Sequence, residues 1–378
     1  MGVERVALMV SDFEDGGVER NFTNLASGLA RLGVETQLLV GAPDHAYLQD
    51  LGPNIAVFPI AGDRAAFLQG HLSTHPVDIL VTGKLPDDYA AISVKRAGAG
   101  NTRVIAAVGT IMSGRFRTRR FNPVRTWFET RRIRDCYRQL DGITAVSEHV
   151  AQDLRDVFKV GTLPLAVLSN PIIPDDLDTR IQGECPHPWL ADNQPPVIIA
   201  VGGLRKVKDY ATLLRAYALM PKDISARLLI LGEGKERRRL EQLARDLGIA
   251  DRLDLHGFVA NPFPYLARAR LLALSSRREG LPNVIVEAFS VGTPAVATDC
   301  TDGVKDLLGG GHLGRLVPVG DVPALARAMQ AELAEPHPGT ALRKAAEPYG
   351  QLAAAQDYLT FFRQVAMREI AAPSANRA

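Results

Sequence analysis

Two carboxylates, Glu279 and Glu287, stand with seven residues between them in the stretch Ser275-Ser276-Arg277-Arg278-Glu279-Gly280-Leu281-Pro282-Asn283-Val284-Ile285-Val286-Glu287-Ala288-Phe289. Gly280 and Pro282 break the chain between them, so Glu279 reads as a loop residue and Glu287 as a helix residue. Pro282 suits a first helical turn and residues 283–289 continue as helix. Backbone N–H groups near 281–284 would then turn toward the loop that carries Glu279, an arrangement that attracts anions. Taken in isolation, such a pair reads first as two solvated charges, and its surroundings must decide.

Three further pieces could share a site with it. Gly202-Gly203-Leu204-Arg205-Lys206-Val207-Lys208-Asp209 follows a strand-like run and precedes a helical one, placing cations and flexible backbone where a phosphate could be held. Alone, it is as easily a glycine turn with solvated lysines. Leu231-Gly232-Glu233-Gly234 and His256-Gly257-Phe258-Val259 each end another strand-like run and would open on the same rim.

The elements that must hold these residues can be read along the chain. Residues 6–10 form a buried, parallel-type strand, followed by Asp15-Gly16-Gly17-Val18-Glu19-Arg20 and a helical pattern through Phe22, Leu25, Leu29 and Leu32 to Gly33. Residues 34–40 return as strand, making a β–loop–α–β unit with its glycine pair at the carboxyl end of the first strand, where open α/β sheets bind ligands. Strand-like runs at 56–58, 79–81, 104–108, 142–146 and 166–168 alternate with helical segments, which gives a doubly wound first half. Prolines 171, 174, 186, 188, 195 and 196 mark residues 173–196 as a linker between a first domain, 1–172, and a second, 197–350. The second series runs through strands at 197–201, 227–231, 252–255, 271–274, 293–298 and 314–317, with a helix at 210–220. An amphipathic helix at 351–368 is expected to complete the first domain, and residues 371–378 form a tail.

Composition narrows the class. With 378 residues, 46% hydrophobic and 23% charged, the chain can build two ordinary cores, and a net charge of +2 argues against a global polyelectrolyte partner such as nucleic acid. The odd trio Cys136, Cys185 and Cys300 suggests neither a disulfide framework nor a zinc site. No metal motif stands out; His71 and His75 have helical spacing but no acidic partner nearby and precede Pro76. There is no signal leader and no apolar run long enough to span a bilayer, so a cytoplasmic protein is expected.

In order and spacing, Gly16-Gly17-Val18-Glu19-Arg20, Val201-Gly202-Gly203-Leu204 with Lys208-Asp209, Leu231-Gly232-Glu233-Gly234, His256-Gly257-Phe258 and Glu279-Gly280-Leu281-Pro282-Asn283-Val284 with Glu287-Ala288 resemble one family. It is family 4 of the retaining, nucleotide-sugar-dependent glycosyltransferases. The resemblance covers nearly the whole chain. It implies two facing Rossmann-like α/β domains with an interdomain cleft (the GT-B fold), and transfer of a hexosyl or N-acetylhexosaminyl unit from a nucleoside diphosphate sugar, with UDP preferred, to a hydroxyl of a glycan or lipid-linked acceptor.

The resemblance also implies roles. Glu279 would face the hydroxyls of the donor sugar, and Lys208 would neutralise the departing diphosphate as charge develops on it. Glu287 would accept hydrogen bonds from the ribose. The remaining donor contacts would come from Gly16, Gly17, Gly203, Arg205, Gly232, Gly257, Val259, Gly280, Leu281, Asn283 and Val284, with no metal or other cofactor. The chain departs from the family pattern at Gly203, where an arginine is common, and at Gly109, where a histidine is common. Arg205 is the nearest substitute for the former; Gly109-Thr110 supplies no catalytic histidine. A nucleotide-sugar epimerase and a non-catalytic nucleotide-sugar or carbohydrate-binding protein are the competing readings.

Between 115 and 138 nine arginines face two acids, a local charge of +7, with Phe116, Phe121, Trp127, Phe128 and Tyr137 interleaved. This suits either an anionic membrane surface, at the inner face of the cytoplasmic membrane, or a solvated arginine face whose aromatics belong to the core.

Overall fold

The computed structural model describes residues 2–12, 17–49, 51–52, 54–98, 100–114, 123–182, 187–221 and 224–368. The chain gathers into two units. One comprises the amino terminus to Phe13, Leu25–Leu168 and the chain from Ala354 onward; the other comprises Glu14–Asn24 and Ser169–Ala353.

The first unit is a seven-stranded sheet of β1 (Arg5–Val10), β2 (Glu35–Val40), β3 (Ile55–Pro59), β4 (Ile79–Thr82), β5 (Arg103–Val108), β6 (Gly142–Ala145) and β7 (Leu165–Val167). Its order is β3-β2-β1-β4-β5-β6-β7 and every pairing is parallel. Parallel sheets are covered on both faces, so their strands are apolar without alternation, as Val6 to Val10 in β1 show. Helices Arg64–Thr74 and Glu148–Asp156 are started by Asp63 and Ser147, whose side chains accept from backbone N–H groups of the first turn. The closing helix, Gln351–Met367, buries Tyr358, Phe361, Phe362 and Val365. Gly142 lets it come close: a Cβ there would stand 3.1 Å from Val365 and 3.2 Å from Phe361.

The second unit repeats the winding with β8 (Val197–Val201), β9 (Arg227–Leu231), β10 (Leu253–Gly257), β11 (Leu271–Leu274), β12 (Ala295–Thr298) and β13 (Arg315–Val317). The order is β10-β9-β8-β11-β12-β13, again all parallel. Strand order reverses between β8 and β11, the topological switch point at which doubly wound sheets bind ligands. Leu272, Ile285, Phe289 and Ala297 are among the residues that fill one face of this sheet; Leu213, Tyr217, Leu228 and Met329 are among those on the other.

Three details differ from the sequence reading. The strand expected at 293–298 begins at Ala295: the Thr293 backbone N–H donates to the Ala288 carbonyl at 2.8 Å, and Pro294 has no N–H for a ladder. Pro282 caps the helix Asn283–Ser290 rather than entering its first turn. The proline-rich stretch expected as a linker groups with the second unit, with His187 and Leu190 buried and a short helix at Leu177–Ile181. Its prolines interrupt secondary structure, but its apolar side chains still find a core.

One backbone approach is tight. Gly232 has φ +150°, and a Cβ there would lie 2.1 Å from the Gly202 carbonyl oxygen; at Gly33, φ +81°, the added atom would meet nothing. Gly232→Ala is therefore expected to lower unfolding free energy by about 3 kcal/mol or more, against about 1 kcal/mol for Gly33→Ala, read from urea denaturation midpoints.

Candidate active site

The loops leaving β8 and β11 are fastened to each other. After β8 the chain makes a single 3₁₀ turn, Lys206–Lys208, and Asp209 then takes a left-handed conformation (φ 48°, ψ 42°) before the helix Tyr210–Ala218. The Asp209 carboxylate holds that conformation by accepting from Thr212 Oγ1 at 2.9 Å and from Arg277 Nε at 2.9 Å. Arg277 belongs to the β11 loop, and its backbone N–H donates to Val207 O at 2.8 Å; Ser275 Oγ donates to Lys208 O at 2.8 Å. Lys208 Nζ then meets Glu279 Oε1 at 2.7 Å, and the Ser276 hydroxyl donates to the same oxygen at 2.5 Å. The lysine and the carboxylate, 71 residues apart in sequence, are thus fixed in one place with their side chains 22% and 14% exposed.

Glu287 lies eight residues beyond Glu279 on an otherwise apolar helix and is only 3% exposed. A carboxylate in that setting needs a partner. The partner is Arg20, whose Nη1 donates to Oε1 at 2.8 Å and whose guanidinium lies 5.5 Å from the centre of the Phe263 ring. Asn283, at the start of the same helix, donates to Asn21 Oδ1 at 2.6 Å and accepts from Asn170 Nδ2 at 3.4 Å. A Cβ on Gly17 would stand 3.3 Å from the Asn283 amide, so Gly17 and Asn283 are neighbours.

The other expected donor contacts fall around this centre. Arg205 runs back over Gly203: its Nε is 3.2 Å from where a Gly203 Cβ would be, so the guanidinium occupies the region the missing side chain would have taken. Gly232 N–H donates to Gly257 O at 2.7 Å, joining the loops after β9 and β10. Gly280 O is approached by Thr301 Oγ1 at 3.4 Å, and only a glycine at 303 fits beside it, since a Cβ there would lie 2.8 Å from that oxygen. Leu281 and Val259 are half-buried against the core, whereas Val284 is buried within it, which leaves its backbone alone for a ligand. Gly16 lies outside the described residues. Asn21 and Tyr210 were not singled out from sequence, and Arg20 and Ser276, although they stand in the quoted motifs, were given no role there. Tyr210 is fully buried and donates to Gly202 O at 2.8 Å; burial, and then the charge of Glu279, push its hydroxyl pKa well above the usual phenol range. The charge of Glu287 in a largely apolar helix could have prompted a search for a cationic partner, and Arg20, in the first glycine motif, was among the arginines to consider.

Two groups of histidines lie apart from this centre. His71 is buried and bonded to Gln37 at 2.8 Å, and its pKa is lowered by burial and then by His75. His187, Asp254 and His256 bring three potential metal ligands within 4.8 Å of one another. His187 Nδ1 accepts from Trp189 N–H at 3.2 Å, which leaves Nε2 as the protonated nitrogen facing Asp254 at 2.9 Å. A metal at Nε2 would displace that proton and set an Nδ1–H against the Trp189 N–H, so the trio fits a hydrogen-bonded relay better than a metal seat.

Comparison with known proteins identifies the family and the fold. Residues 15–176 match the model of Glycosyltransferase Family 4, and residues 184–351 match that of Glycosyl transferases group 1. The chain belongs to the family 4 glycosyltransferases, and its two parallel-sheet α/β units are those of the GT-B fold. It is 31% identical over 232 residues to the Campylobacter jejuni N-acetylgalactosamine-N,N'-diacetylbacillosaminyl-diphospho-undecaprenol 4-alpha-N-acetylgalactosaminyltransferase, spanning 61% of this chain and 60% of that one. It is 35% identical over 140 residues to the lipopolysaccharide core biosynthesis glycosyltransferase LpsE of Rhizobium meliloti, spanning 37% of this chain and 40% of that one. Among solved structures, sucrose-phosphate synthase from Thermosynechococcus elongatus superposes with TM-score 0.79 at 18% identity, covering 96% of this chain and 99% of that one. Anabaena Alr3699/HepE in complex with UDP-glucose gives 0.71 at 18%, covering 96% and 98%.

Cys300 reports on the centre. Its thiol pKa is pushed up to about 11, by burial first and by the Glu279 charge second. Alkylation of Cys300, followed by peptide mass spectrometry, is expected to be negligible at pH 7–8 and to rise toward pH 11. Glu279→Gln removes the opposing charge and is expected to speed it at fixed pH; an unchanged rate would disprove the proximity.

Proposed function

We propose that this chain transfers a glycosyl unit, with retention at the anomeric carbon, from a UDP-sugar to a hydroxyl of a glycan or lipid-linked acceptor. The observation that carries the reading is the Lys208–Glu279 pair fixed at the switch point of the second sheet, with the buried carboxylate of Glu287 on the helix that follows. Lys208 supplies positive charge for a diphosphate leaving group, and being held in place beforehand it needs no reorganisation as that charge develops. Glu279, anchored through one oxygen by Lys208 and Ser276, has its second oxygen for the sugar hydroxyls. Glu287 takes the ribose, Arg205 and the backbone of Gly203 the phosphates, and Gly16 and Gly17 offer backbone without side chains. The UDP and UDP-glucose complexes of HepE support the choice of nucleotide, and the diphospho-undecaprenol-linked substrate in the C. jejuni relative's name supports a lipid-linked acceptor.

Thermal shift with UDP-, GDP- and ADP-sugars tests the donor: a ligand at 100 times its Kd raises stability by about 2.7 kcal/mol. UDP-sugars are expected to give the largest rise. Transfer must require an acceptor; donor turnover without one would favour an epimerase, and binding without turnover a non-catalytic protein. Lys208→Ala is expected to lower kcat by about 10²-fold or more, and unaltered activity there and in Glu279→Gln would refute the assignment.

The acceptor is proposed to be presented at an anionic membrane surface. Among the described residues no helix is long and apolar enough to cross a membrane. The helix Pro123–Tyr137 instead exposes Val124, Trp127 and Phe128 at 55–63%, with Arg131 over the Trp127 ring at 5.4 Å. Exposed aromatics among arginines suit a headgroup interface, where each basic residue adds about 1 kcal/mol. Residues 115–122, with four more arginines, lie outside the described residues. Flotation with vesicles containing phosphatidylglycerol is expected, and loss of it on combining Trp127→Ala with Arg131→Glu; equal flotation with neutral vesicles would end the membrane proposal.

A further inference from the structure

We propose that Arg20 is a positioning residue for the donor: its guanidinium orients the Glu287 carboxylate so that the free oxygen accepts the vicinal hydroxyls of the ribose. The inference rests on the reading of Glu287 as the ribose acceptor and adds to it a residue 267 positions earlier in the chain.

The pair is built rather than incidental. Glu287 sits among Ile285, Val286, Ala288 and Phe289, all essentially without solvent exposure, so an unpartnered charge there would be costly. Among the described residues its carboxylate accepts from Arg20 alone, at 2.8 Å, through Oε1. A carboxylate has about four lone-pair sites, so acceptor capacity remains on Oε2. Glu332 shows the contrast. It is fully buried too, but its oxygens are taken by Arg315 Nε at 2.8 Å, the His337 backbone N–H at 2.8 Å and the His337 ring. Glu332 is a saturated structural carboxylate; Glu287 keeps an edge unused.

Arg20 is itself held. Its side chain is 14% exposed and stacks over Phe263, on a helix packed against Asn283–Ser290. It lies on a single face of the helix Gly17–Arg31 with Gly17, Asn21 and Asn24, spaced i, i+3, i+4 and i+7. Gly17 and Asn21 touch Asn283, and Asn24 Nδ2 donates to Pro171 O at 2.7 Å, so the whole face is seated on the second unit. The planar fork of arginine fixes the direction of the carboxylate, which the compact ammonium of lysine would not do as well.

Titration calorimetry of the full chain with UDP and with 2',3'-dideoxy-UDP tests this. The wild type should bind UDP at least about tenfold tighter than the dideoxy compound. Arg20→Ala should lose about tenfold for UDP and nothing for dideoxy-UDP, with Arg20→Lys intermediate. If Arg20→Ala does not fold, Arg20→Lys alone carries the test through the same selective loss. Equal weakening of both nucleotides, or weakening of neither, overturns the role of Arg20 while leaving the ribose reading intact. A wild type that does not distinguish the two compounds removes Glu287 as ribose acceptor, and the inference falls with it.

Discussion

The reversal of strand order between β8 and β11 is the constraint on which the site depends. Neighbouring parallel strands at such a point send their following connections in opposite directions, so the two loops are left facing one another without a helix packed between them. Here the gap is closed by side chains. Asp209 ties to Arg277, Ser275 to the Lys208 carbonyl, and Ser276 and Lys208 to Glu279. The result is a cation and a carboxylate whose positions are set before any ligand arrives. An ion pair this sheltered is weak evidence of stabilisation, because desolvation offsets much of the attraction. Its value is in geometry, and the left-handed Asp209 is a local cost that the same network sustains.

The second carboxylate obeys a different logic. Glu279 is held by residues of its own rim, whereas Glu287 is sunk in the apolar helix Asn283–Ser290 and compensated by a guanidinium from the start of the chain. Burial makes its environment less screened and its orientation more definite. Residues 17–24 therefore pack with the second sheet, and they group with the second unit while the remainder of their helix does not.

Much of this could be read from sequence. Apolar runs of four to six residues alternating with helical patterns define a doubly wound fold whatever their partners, and the glycines at the carboxyl ends of the strands mark where backbones must approach closely. Glu279, Lys208 and Glu287 each read alone as a solvated charge, and only the order and spacing of the motifs that carry them, matched to a family, set them apart. In the proline-rich segment the breaker residues report on local backbone alone, while the burial of His187 and Leu190 is set by tertiary packing.

By itself, then, the sequence determined the two α/β halves and the glycine- and charge-bearing loops at the carboxyl ends of their strands. These follow from local periodicity, turn chemistry and the order of motifs along the chain. Only the tertiary structure decided the pairings. That Lys208 meets Glu279 and that Glu287 is answered by Arg20 depend on which strand ends become neighbours and which helix face is seated where. Such contacts join residues up to 267 positions apart, and no local rule of spacing or propensity can select one arginine out of a chain rich in them.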